Sequence, residues 1–502
     1  MQGALEKLVE QNAQLTKQNT RLLDQIEQLT TQTSLLQKKI QFLLSRMFGR
    51  KSEKLDRNQL EFLLAGLEGP EPNDDPPPSP PSSRKRQRRE HKPRMPEDLP
   101  TEEQVIIPDS VKQDPSAYQR IGEEVTEELD VVPTRYFRRR IIRPKYVSKT
   151  KRDQPPVIAP LAPRLIEGGY ASAGLLTDIV LKKYVDHLPL YRQEQILKTR
   201  HGIELSRKTM SDWVRVVADW LKPIYNHIRE DLRQSAYLQV DETPVRYCLR
   251  EGGGSGKGYL WLFHRPGAEV VYEWHTSRAA ECLKPMLDGF IGTIQSDGYA
   301  AYTSYAKDKP IDLAGCWAHA RRKFHNALDE CPGQAGWVLA QIGLMYRAER
   351  LLRGKGPALR QSVRASEAGM ILDRLEKMLN LKLAQHLPKS AMGQAISYTL
   401  SLWPQLLRFR DDGLVQIDNN LVENAVRPTA IGKKNWMFFG HPDAGQRSAI
   451  IYTLLESCKR HGINPQEYLL DVLSRIPSMT NQQTHLLTPA KWLAEREKRK
   501  IA

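Results

Sequence analysis

Tyr237-Leu238-Gln239-Val240-Asp241-Glu242-Thr243-Pro244 is the stretch from which the architecture of this chain can be worked out. An apolar, β-forming run leads into two carboxylates and a proline, which predicts a buried strand with Asp241 at its tip. Residues 294–299 and 417–424 place Asp297 and Glu423 where the backbone is also expected to change direction. The chain therefore presents three acids at the ends of predicted elements.

The elements around these acids follow a definite order. Residues 258–264 and 270–274 read as strands that form an antiparallel meander with the first strand. A helix over 279–287, a strand over 291–296, a strand over 311–316 and a helix from 317 follow. This order matches an RNase H-like α/β core, in which carboxylates from adjacent strands and from a helix converge.

Such convergence has a chemical purpose. Two divalent ions about 3.5–4 Å apart can clamp the attacking and leaving oxygens of a phosphodiester. Carboxylates suit Mg²⁺, or Mn²⁺ in its place. On this interpretation Asp241 bridges two ions per active site, and Asp297 and Glu423 each hold one.

Each acid also has a simpler explanation when it is taken alone. Asp241 could start a turn at Thr243-Pro244, and Asp297-Gly298 is a common turn pair. Glu423 lies three residues after Asn420, which is the spacing of a capping box. The joint order of the three acids on matching elements favours a shared site.

Composition points to an anionic partner. The 502 residues carry a formal charge of +16, and their 75 lysines and arginines occur in clusters that suggest nucleic acid. Five scattered cysteines indicate no disulfide framework and a reducing compartment. With no apolar stretch of membrane-spanning length, the prediction is a cytoplasmic, nucleoid-associated protein with no membrane partner.

The first 150 residues divide into three predicted regions. Leucines at every seventh residue from Leu8 to Leu43, with Asn12 and Asn19 at the other core position, predict a coiled coil over 1–48 that makes a homodimer or higher oligomer. The alternative is a helix packed on its own body. Residues 49–100 read as a basic, Pro-rich linker. Residues 101–152 read as a small β module, where arginines and aromatics alternate over 135–146 on a strand that could contact DNA or be a charged edge strand.

A helical DNA-binding domain is predicted over 153–232. A helix over 190–197, a turn at Gly202 and a helix capped by Ser206 resemble a helix-turn-helix. Its second helix would present Arg207, Lys208, Thr209 and Ser211 to a major groove. A generic helical hairpin is the alternative.

The remaining regions belong to the catalytic core and its additions. Residues 233–325 form the first part of the core, and 326–412 are almost wholly helix-patterned and read as a helical insertion. Residues 413–475 form the second part of the core, with a helix over 448–460, and 476–502 form a C-terminal tail.

Several sequence motifs of this chain resemble those of a known protein family. The chain resembles the insertion-sequence 66 family of transposases (TnpC type) of bacterial mobile elements. The residues that carry the resemblance are Val240-Asp241-Glu242-Thr243, Ser296-Asp297-Gly298-Tyr299, the run from Cys316 to Phe324, and the run from Asp418 to Pro428. The resemblance implies that Asp241, Asp297 and Glu423 form a DDE triad for Mg²⁺-dependent DNA cleavage and strand transfer. It also implies DNA partners, namely element ends and target DNA, and small accessory proteins from the same element.

Polar groups near the triad have further expected roles. Cys316 and His319 resemble the Cys/Asp-x-x-His motif of several DDE transposase groups, for which a structural or DNA-positioning role is favoured over metal binding. Cationic and stacking residues that could hold DNA are Arg321, Arg322, Lys323, Arg427, Lys433, Lys434 and Trp436. A solvated helix face is the alternative for the last four.

One departure from the family concerns zinc. Relatives usually carry a four-cysteine module before the helix-turn-helix, but the matching positions here are Val111, Asp114, Ser148 and Lys151. The β module is therefore expected to be zinc-ribbon-like without zinc, and zinc is not expected as a cofactor.

Two other functions remain compatible with the sequence. The chain could be a DNA-binding regulator or accessory factor, catalytically decayed, in which the acids only stabilise turns. It could also be an RNase H-like nuclease that cleaves without joining.

Overall fold

The computed structural model describes residues 135–146, 157–249 and 254–501, together with the isolated positions 25, 33 and 113. The predicted coiled coil, the basic linker and most of the β module, including positions 111, 114, 148 and 151, lie outside these residues. The chain divides into two compact units, one of Glu53–Ala159 and one of Met1–Ser52 with Pro160–Ala502.

In the unit of Glu53–Ala159, the described part is a short antiparallel pair of strands. Strand β1 (Lys145–Tyr146) pairs with β2 (Val157–Ile158), and Arg143 Nη1 donates to the carbonyl of Ala159 at 2.9 Å. The prediction of a strand over residues 135–146 is wrong for residues 135–144, which have no regular secondary structure. Within the described ranges, strand pairing reaches only the last two residues of this arginine-rich run.

The larger unit is mixed α/β. Its described strands are β3 (Tyr237–Cys248), β4 (Ser255–His264), β5 (Val270–His275), β6 (Gly292–Gln295), β7 (Ile311–Ala314) and β8 (Phe438–Phe439). Its described helices are α1 (Ala173–Tyr184), α2 (Leu190–His201), α3 (Arg207–Arg233), α4 (Lys284–Leu287), α5 (Ala300–Ala306), α6 (Trp317–Asn326), α7 (Pro332–Leu351), α8 (Pro357–Leu383), α9 (Ala391–Ser401), α10 (Trp403–Asp411), α11 (Asn420–Trp436), α12 (Pro442–Arg460), α13 (Pro465–Arg475) and α14 (Pro489–Ile501).

One mixed sheet organises this unit, with strand order β5-β4-β3-β6-β7. The first three strands form the predicted antiparallel meander. Strands β3, β6 and β7 run parallel to one another, and β8 pairs in parallel with the far end of β3. The central strand β3 therefore joins an antiparallel half to a parallel half.

The prediction that Asp241 ends its strand is wrong. Strand β3 continues through Thr243 and Pro244 to Cys248 and stays paired with β4 along this length. On its other side, β3 pairs with β6 at residues 237–239 and with β8 at residues 246 and 247. Pro244 falls between these two pairings, so its missing N–H interrupts no ladder.

The region expected to be a helical insertion consists of helices α7 to α10. Their apolar faces share one core with Tyr237 of β3 and with Trp317 and Phe324 of α6. Trp317 donates its indole N–H to the carbonyl of Leu406 at 2.9 Å. The helical insertion therefore packs directly against the sheet and against α6.

The predicted helix, turn at Gly202 and helix capped by Ser206 are present as α2 and α3. Gly202 ends α2 in the left-handed conformation at φ +64°, which suits glycine. Ser206 caps α3, accepting from the backbone N–H of Thr209 at 3.2 Å. Helix α3 is 27 residues long and continues past the motif to pack on α12 and β5. In the part of the chain that the structure describes, no helix combines the length and apolar character needed to cross a bilayer.

Candidate active site

Asp241 and Asp297 lie at the edge of the sheet where the carboxyl end of β6 meets β3. Strands β3 and β6 run parallel, with Gln239 opposite Gln295. Asp241 lies two residues beyond this pair within β3, and Asp297 lies two residues beyond it in the turn that follows β6, so the two carboxylates come close enough for their charges to interact. Helix α11, which carries Glu423 in its first turn, packs across β3 and β4.

Asp241 is an acid in an unfavourable electrostatic setting. Its removal from water and the neighbouring charges of Glu242, Asp297 and Glu423 together raise its pKa to about 8. The backbone N–H of Glu242 donates to Asp241 Oδ1 at 2.8 Å and acts in the opposite direction. The carboxylate would keep its charge at neutral pH if a cation were bound beside it.

Asp297 stands in a tight turn directly after β6. Its Oδ1 accepts from the backbone N–H of Tyr299 at 2.9 Å. The turn explanation is therefore true of this residue, and it fixes the carboxylate. Gly298 has φ +88°, and a Cβ there would lie 2.6 Å from Leu402 of the insertion. The backbone angle favours glycine at this position, and a larger residue would also require the end of the Leu402 side chain to shift.

Glu423 is surrounded by groups from α6. Its Oε1 lies 3.5 Å from His319 Nδ1, and its Oε2 lies 3.6 Å from Arg322. Neither contact has hydrogen-bond geometry, and Oε1 is a buried oxygen without a hydrogen-bond partner in the described part of the chain. Burial lowers the pKa of His319 in spite of the opposing charges of Glu423 and Asp297. Glu423 is therefore available to a ligand.

The capping-box explanation for Glu423 does not describe this helix. The N-cap residue is Asn419, whose side chain makes no cap hydrogen bond. The preceding residue, Asp418, bonds to the start of α11 instead, since its Oδ1 accepts from the backbone N–H of Asn420 at 3.1 Å. Cys316 is fully buried, and its sulfur accepts from the backbone N–H of Asn419 at 3.5 Å. Burial raises the pKa of this thiol to about 12. Cys316 thus serves to attach the start of α11 to the start of α6.

A buried network of hydrogen bonds holds residues 416–418, which precede the helix that carries Glu423, against the sheet. Gln295 Oε1 accepts from Tyr237 at 2.5 Å and from Gln239 at 3.1 Å. Gln295 also donates to the carbonyl of Gln416 at 2.8 Å, and Gln239 donates to that of Asp418 at the same distance. Because both glutamine side chains are fully buried, these bonds fix where residues 416–418 lie on the sheet.

Two tyrosines of the insertion reach the acid-bearing segments. Tyr398 of α9 donates to the backbone carbonyl of Asp297 at 2.7 Å. Tyr346 of α7 donates to Asp418 Oδ2, also at 2.7 Å. The insertion therefore contacts the loop of one acid and the segment that precedes the helix of another.

Sequence reasoning missed a further acid. Glu242 accepts from Tyr302 at 2.6 Å and from Arg278 Nε at 2.9 Å, and burial raises its pKa. It adjoins Asp241 in the quoted motif, which was the available signal. Its partners lie on separate elements, so their meeting could not be seen from spacing.

The residues expected to hold DNA lie on two parts of the fold: helices α6 and α11, which contact or carry Glu423, and helix α3. Near Glu423, the side chains of Arg321, Arg322, Lys323, Arg427 and Lys434 are exposed. Lys433 instead donates to Thr243 Oγ1 and to the carbonyl of Pro244, each at 3.2 Å. Trp436 is partly buried and stacks on Phe439, with ring centroids 4.9 Å apart. On α3, Arg207, Lys208 and Ser211 are exposed and Thr209 is partly buried beside its cap.

The chain matches three models of known protein families. Residues 168–447 match the model described as "Transposase IS66 family". Residues 453–490 match the IS66 C-terminal element, and residues 35–103 match the model described as "Transposase C of IS166 homeodomain". The chain belongs to the IS66 transposase family.

Similar chains occur in Sinorhizobium fredii (strain NBRC 101917 / NGR234). Uncharacterized protein y4qI is 37% identical over 377 residues, which are 71% of this chain and 68% of that protein. Uncharacterized protein y4jD is 34% identical over 422 residues, or 80% of this chain and 82% of the relative. Uncharacterized protein y4hP is 28% identical over 495 residues, or 91% and 88%.

Proposed function

We propose that this IS66 family member is an active DDE transposase whose α/β core is RNase H-like. Asp241, Asp297 and Glu423 are its catalytic triad. The observation that carries this proposal is the register of β3 and β6, which brings two of the acids to one edge of the sheet beneath the helix that bears the third. The raised pKa of Asp241 adds an electrostatic reason, because neighbouring carboxylates contribute to it.

The three acids fit a pair of Mg²⁺ or Mn²⁺ ions. Their donor atoms are carboxylate oxygens, and Glu423 Oε1 is buried without a hydrogen-bond partner among the described residues. Bound divalent ions would supply Lewis-acid stabilisation of the attacking and leaving oxygens of a phosphodiester. The protein's own part is to hold the acids, through the Asp297 turn, the glutamine network and the bond from Asp418 to the start of α11.

DNA would be held by the exposed cations on either side of Glu423. Arg321 and Arg322 begin this surface on α6, and Arg427 and Lys434 continue it on α11. Non-specific phosphate contacts by such residues position a duplex without reading its sequence. Helix α3, with Arg207 and Lys208 exposed at its start, would recognise element ends. We also propose a homodimer or higher oligomer through residues 1–48, accessory proteins from the same element, and a nucleoid-associated location.

A cleavage and joining assay tests the catalytic assignment. The full-length chain is incubated with labelled element ends, target DNA and Mg²⁺ or Mn²⁺. Asp241→Asn should reduce cleavage and strand transfer to the level of DNA alone and leave end binding nearly unchanged. Asp312→Asn is the matched control, because Asp312 is an exposed acid on the neighbouring strand β7, and it should retain both reactions.

The rival functions predict other results. A catalytically decayed regulator would bind ends but show no metal-dependent nicking with the wild-type chain. A nuclease would cleave and never join. Strand transfer that persists in Asp241→Asn would contradict the triad itself.

A further inference from the structure

A second group of metal-ligating side chains lies in the helical insertion, separate from the three acids. Glu330 and Cys331 occupy the connection between α6 and α7, and His386 occupies the connection between α8 and α9. A carboxylate oxygen, the thiol sulfur and a ring nitrogen of these residues all lie within 4.8 Å of one another. Residues from two chain connections thus meet at one point.

Each flanking ligand is already held by a further contact. Glu330 Oε2 accepts from the backbone N–H of Ala391 at 2.7 Å, which leaves its other oxygen to face a ligand. His386 Nε2 lies 2.8 Å from Gln334 Oε1. An amide oxygen can only accept, so Nε2 carries the proton and Nδ1 keeps a lone pair. Ligating histidines in metalloproteins are commonly oriented by such an outer hydrogen bond.

Cys331 supplies the soft ligand. It is the residue that precedes α7, and its thiol does not cap the helix. Cys331 and His386 are partly exposed and Glu330 is exposed, so a metal ion can reach all three from solvent. Ligand atoms of Cys316, His319 and Glu423 also lie within 4.8 Å of one another, but this group differs because Cys316 is fully buried and accepts a backbone hydrogen bond.

Sulfur, imidazole nitrogen and carboxylate oxygen together form a donor set that suits zinc. Zinc binds these atoms at about 2.0–2.3 Å in tetrahedral geometry, so its ligands lie roughly 3.5 Å apart. Small rotations of three accessible side chains reach that spacing from the one observed. A water molecule would complete the fourth position.

We propose that Glu330, Cys331 and His386 form a zinc site that clips together the two connections of the insertion. The clip would hold the start of α9, because Glu330 already bonds to Ala391. The sequence did not predict zinc, since these ligands are distant from one another and lack the paired-cysteine spacing that usually indicates such a site. The proposal is independent of the function of the three acids.

Cobalt titration of the full-length chain, first freed of metal with a chelator, tests the proposal. Co²⁺ should produce one thiolate-to-cobalt charge-transfer band, and Zn²⁺ should abolish it by displacing the cobalt. Cys331→Ser should remove the band. Cys248→Ser is the matched control, because Cys248 is also partly exposed, and it should keep the band.

Two further variants make the test independent of one substitution. His386→Gln should lose the band and keep its far-ultraviolet circular dichroism. Gln334→Ala, which removes only the outer hydrogen bond, should weaken cobalt affinity by about 10–100-fold. The proposal is overturned if the wild-type chain gives no thiolate band, or if the band survives in Cys331→Ser, since the sulfur would then come from another cysteine.

Discussion

Two regions of the molecule bury charge in opposite ways. In the insertion, Arg364 is 1% exposed and fully compensated: Nε and Nη2 bond to Glu349 at 2.6 and 2.7 Å, and Nη1 bonds to the carbonyls of Phe409 and Val415. At the sheet edge, Asp241 is partly buried and lies near Glu242, Asp297 and Glu423, whose carboxylates carry charge of the same sign.

The difference separates a structural polar site from a candidate functional one. A buried charge with a bidentate partner fixes the position of the segments it joins. A buried charge among like charges costs stability, and proteins retain such arrangements where a ligand can compensate them. The Arg364 pair holds the chain that leads toward Gln416, so the compensated region supports the uncompensated one.

Removing the charge of Arg364, which compensates Glu349, should have the largest effect on the stability of the fold. Arg364→Met removes both hydrogen bonds to the buried Glu349 and leaves it only the more distant Arg360, at 3.8 Å, so we expect a loss of about 3–5 kcal/mol of stability. Urea unfolding followed by tryptophan fluorescence measures it. Arg374→Met, an exposed arginine on the same helix, should stay within about 0.5 kcal/mol of wild type.

The double variant Arg364→Met with Glu349→Leu sharpens the result. It should recover part of the lost stability, because an apolar pair is less costly than one buried charge. If the double variant is as unstable as the single one, the loss comes from packing and the comparison of charges fails.

Neutralising Asp241 should instead increase the stability of the fold, and by a smaller amount. A carboxyl whose pKa is raised from 3.8 to about 8 in the folded chain destabilises the fold progressively as pH rises between these values. Asp241→Asn lacks this penalty. Without divalent metal it should therefore be more stable than wild type, by a margin that grows from pH 4 to pH 8 and is at most about 4 kcal/mol at pH 7.

Thermal unfolding at several pH values measures this margin. The control is Asp312→Asn, which loses only an exposed ion pair with Arg408 and should show no gain in stability. Adding Mg²⁺ should narrow the margin, because the wild-type acids then gain compensation. Equal unfolding of Asp241→Asn and wild type across this pH range would show that Asp241 pays no electrostatic penalty.

The sequence predicted the parts of this site that depend on local pattern. Residue alternation and turn residues placed the meander, the strand before Asp297 and the helix that carries Glu423. The pattern failed at Thr243-Pro244, where a proline reads as a strand end. Whether a proline ends a strand depends on which neighbours pair beside it, and that is decided by β6 and β8 from distant parts of the chain.

The supporting contacts were beyond sequence reasoning for a related reason. Tyr346 and Tyr398 lie in helices whose spacing reports an apolar face and nothing about the acids. Gln239 and Gln295 stand in strands where buried residues are expected to be apolar. Beyond Tyr237 and each other, their partners are backbone carbonyls, which carry no sequence signal at all.

The smallest effect tests whether the insertion supports the sheet edge. Tyr398→Phe removes one hydrogen bond to the carbonyl of Asp297, and we expect a loss of about 1 kcal/mol in stability. If this bond positions Asp297, the Mn²⁺ concentration for half-maximal DNA cleavage should rise several-fold while end binding is unchanged. Tyr170→Phe is the matched control, because Tyr170 is 75% exposed, and it should change neither quantity. A stability loss in Tyr398→Phe with an unaltered metal requirement would make the insertion a packing element with no influence on the acids.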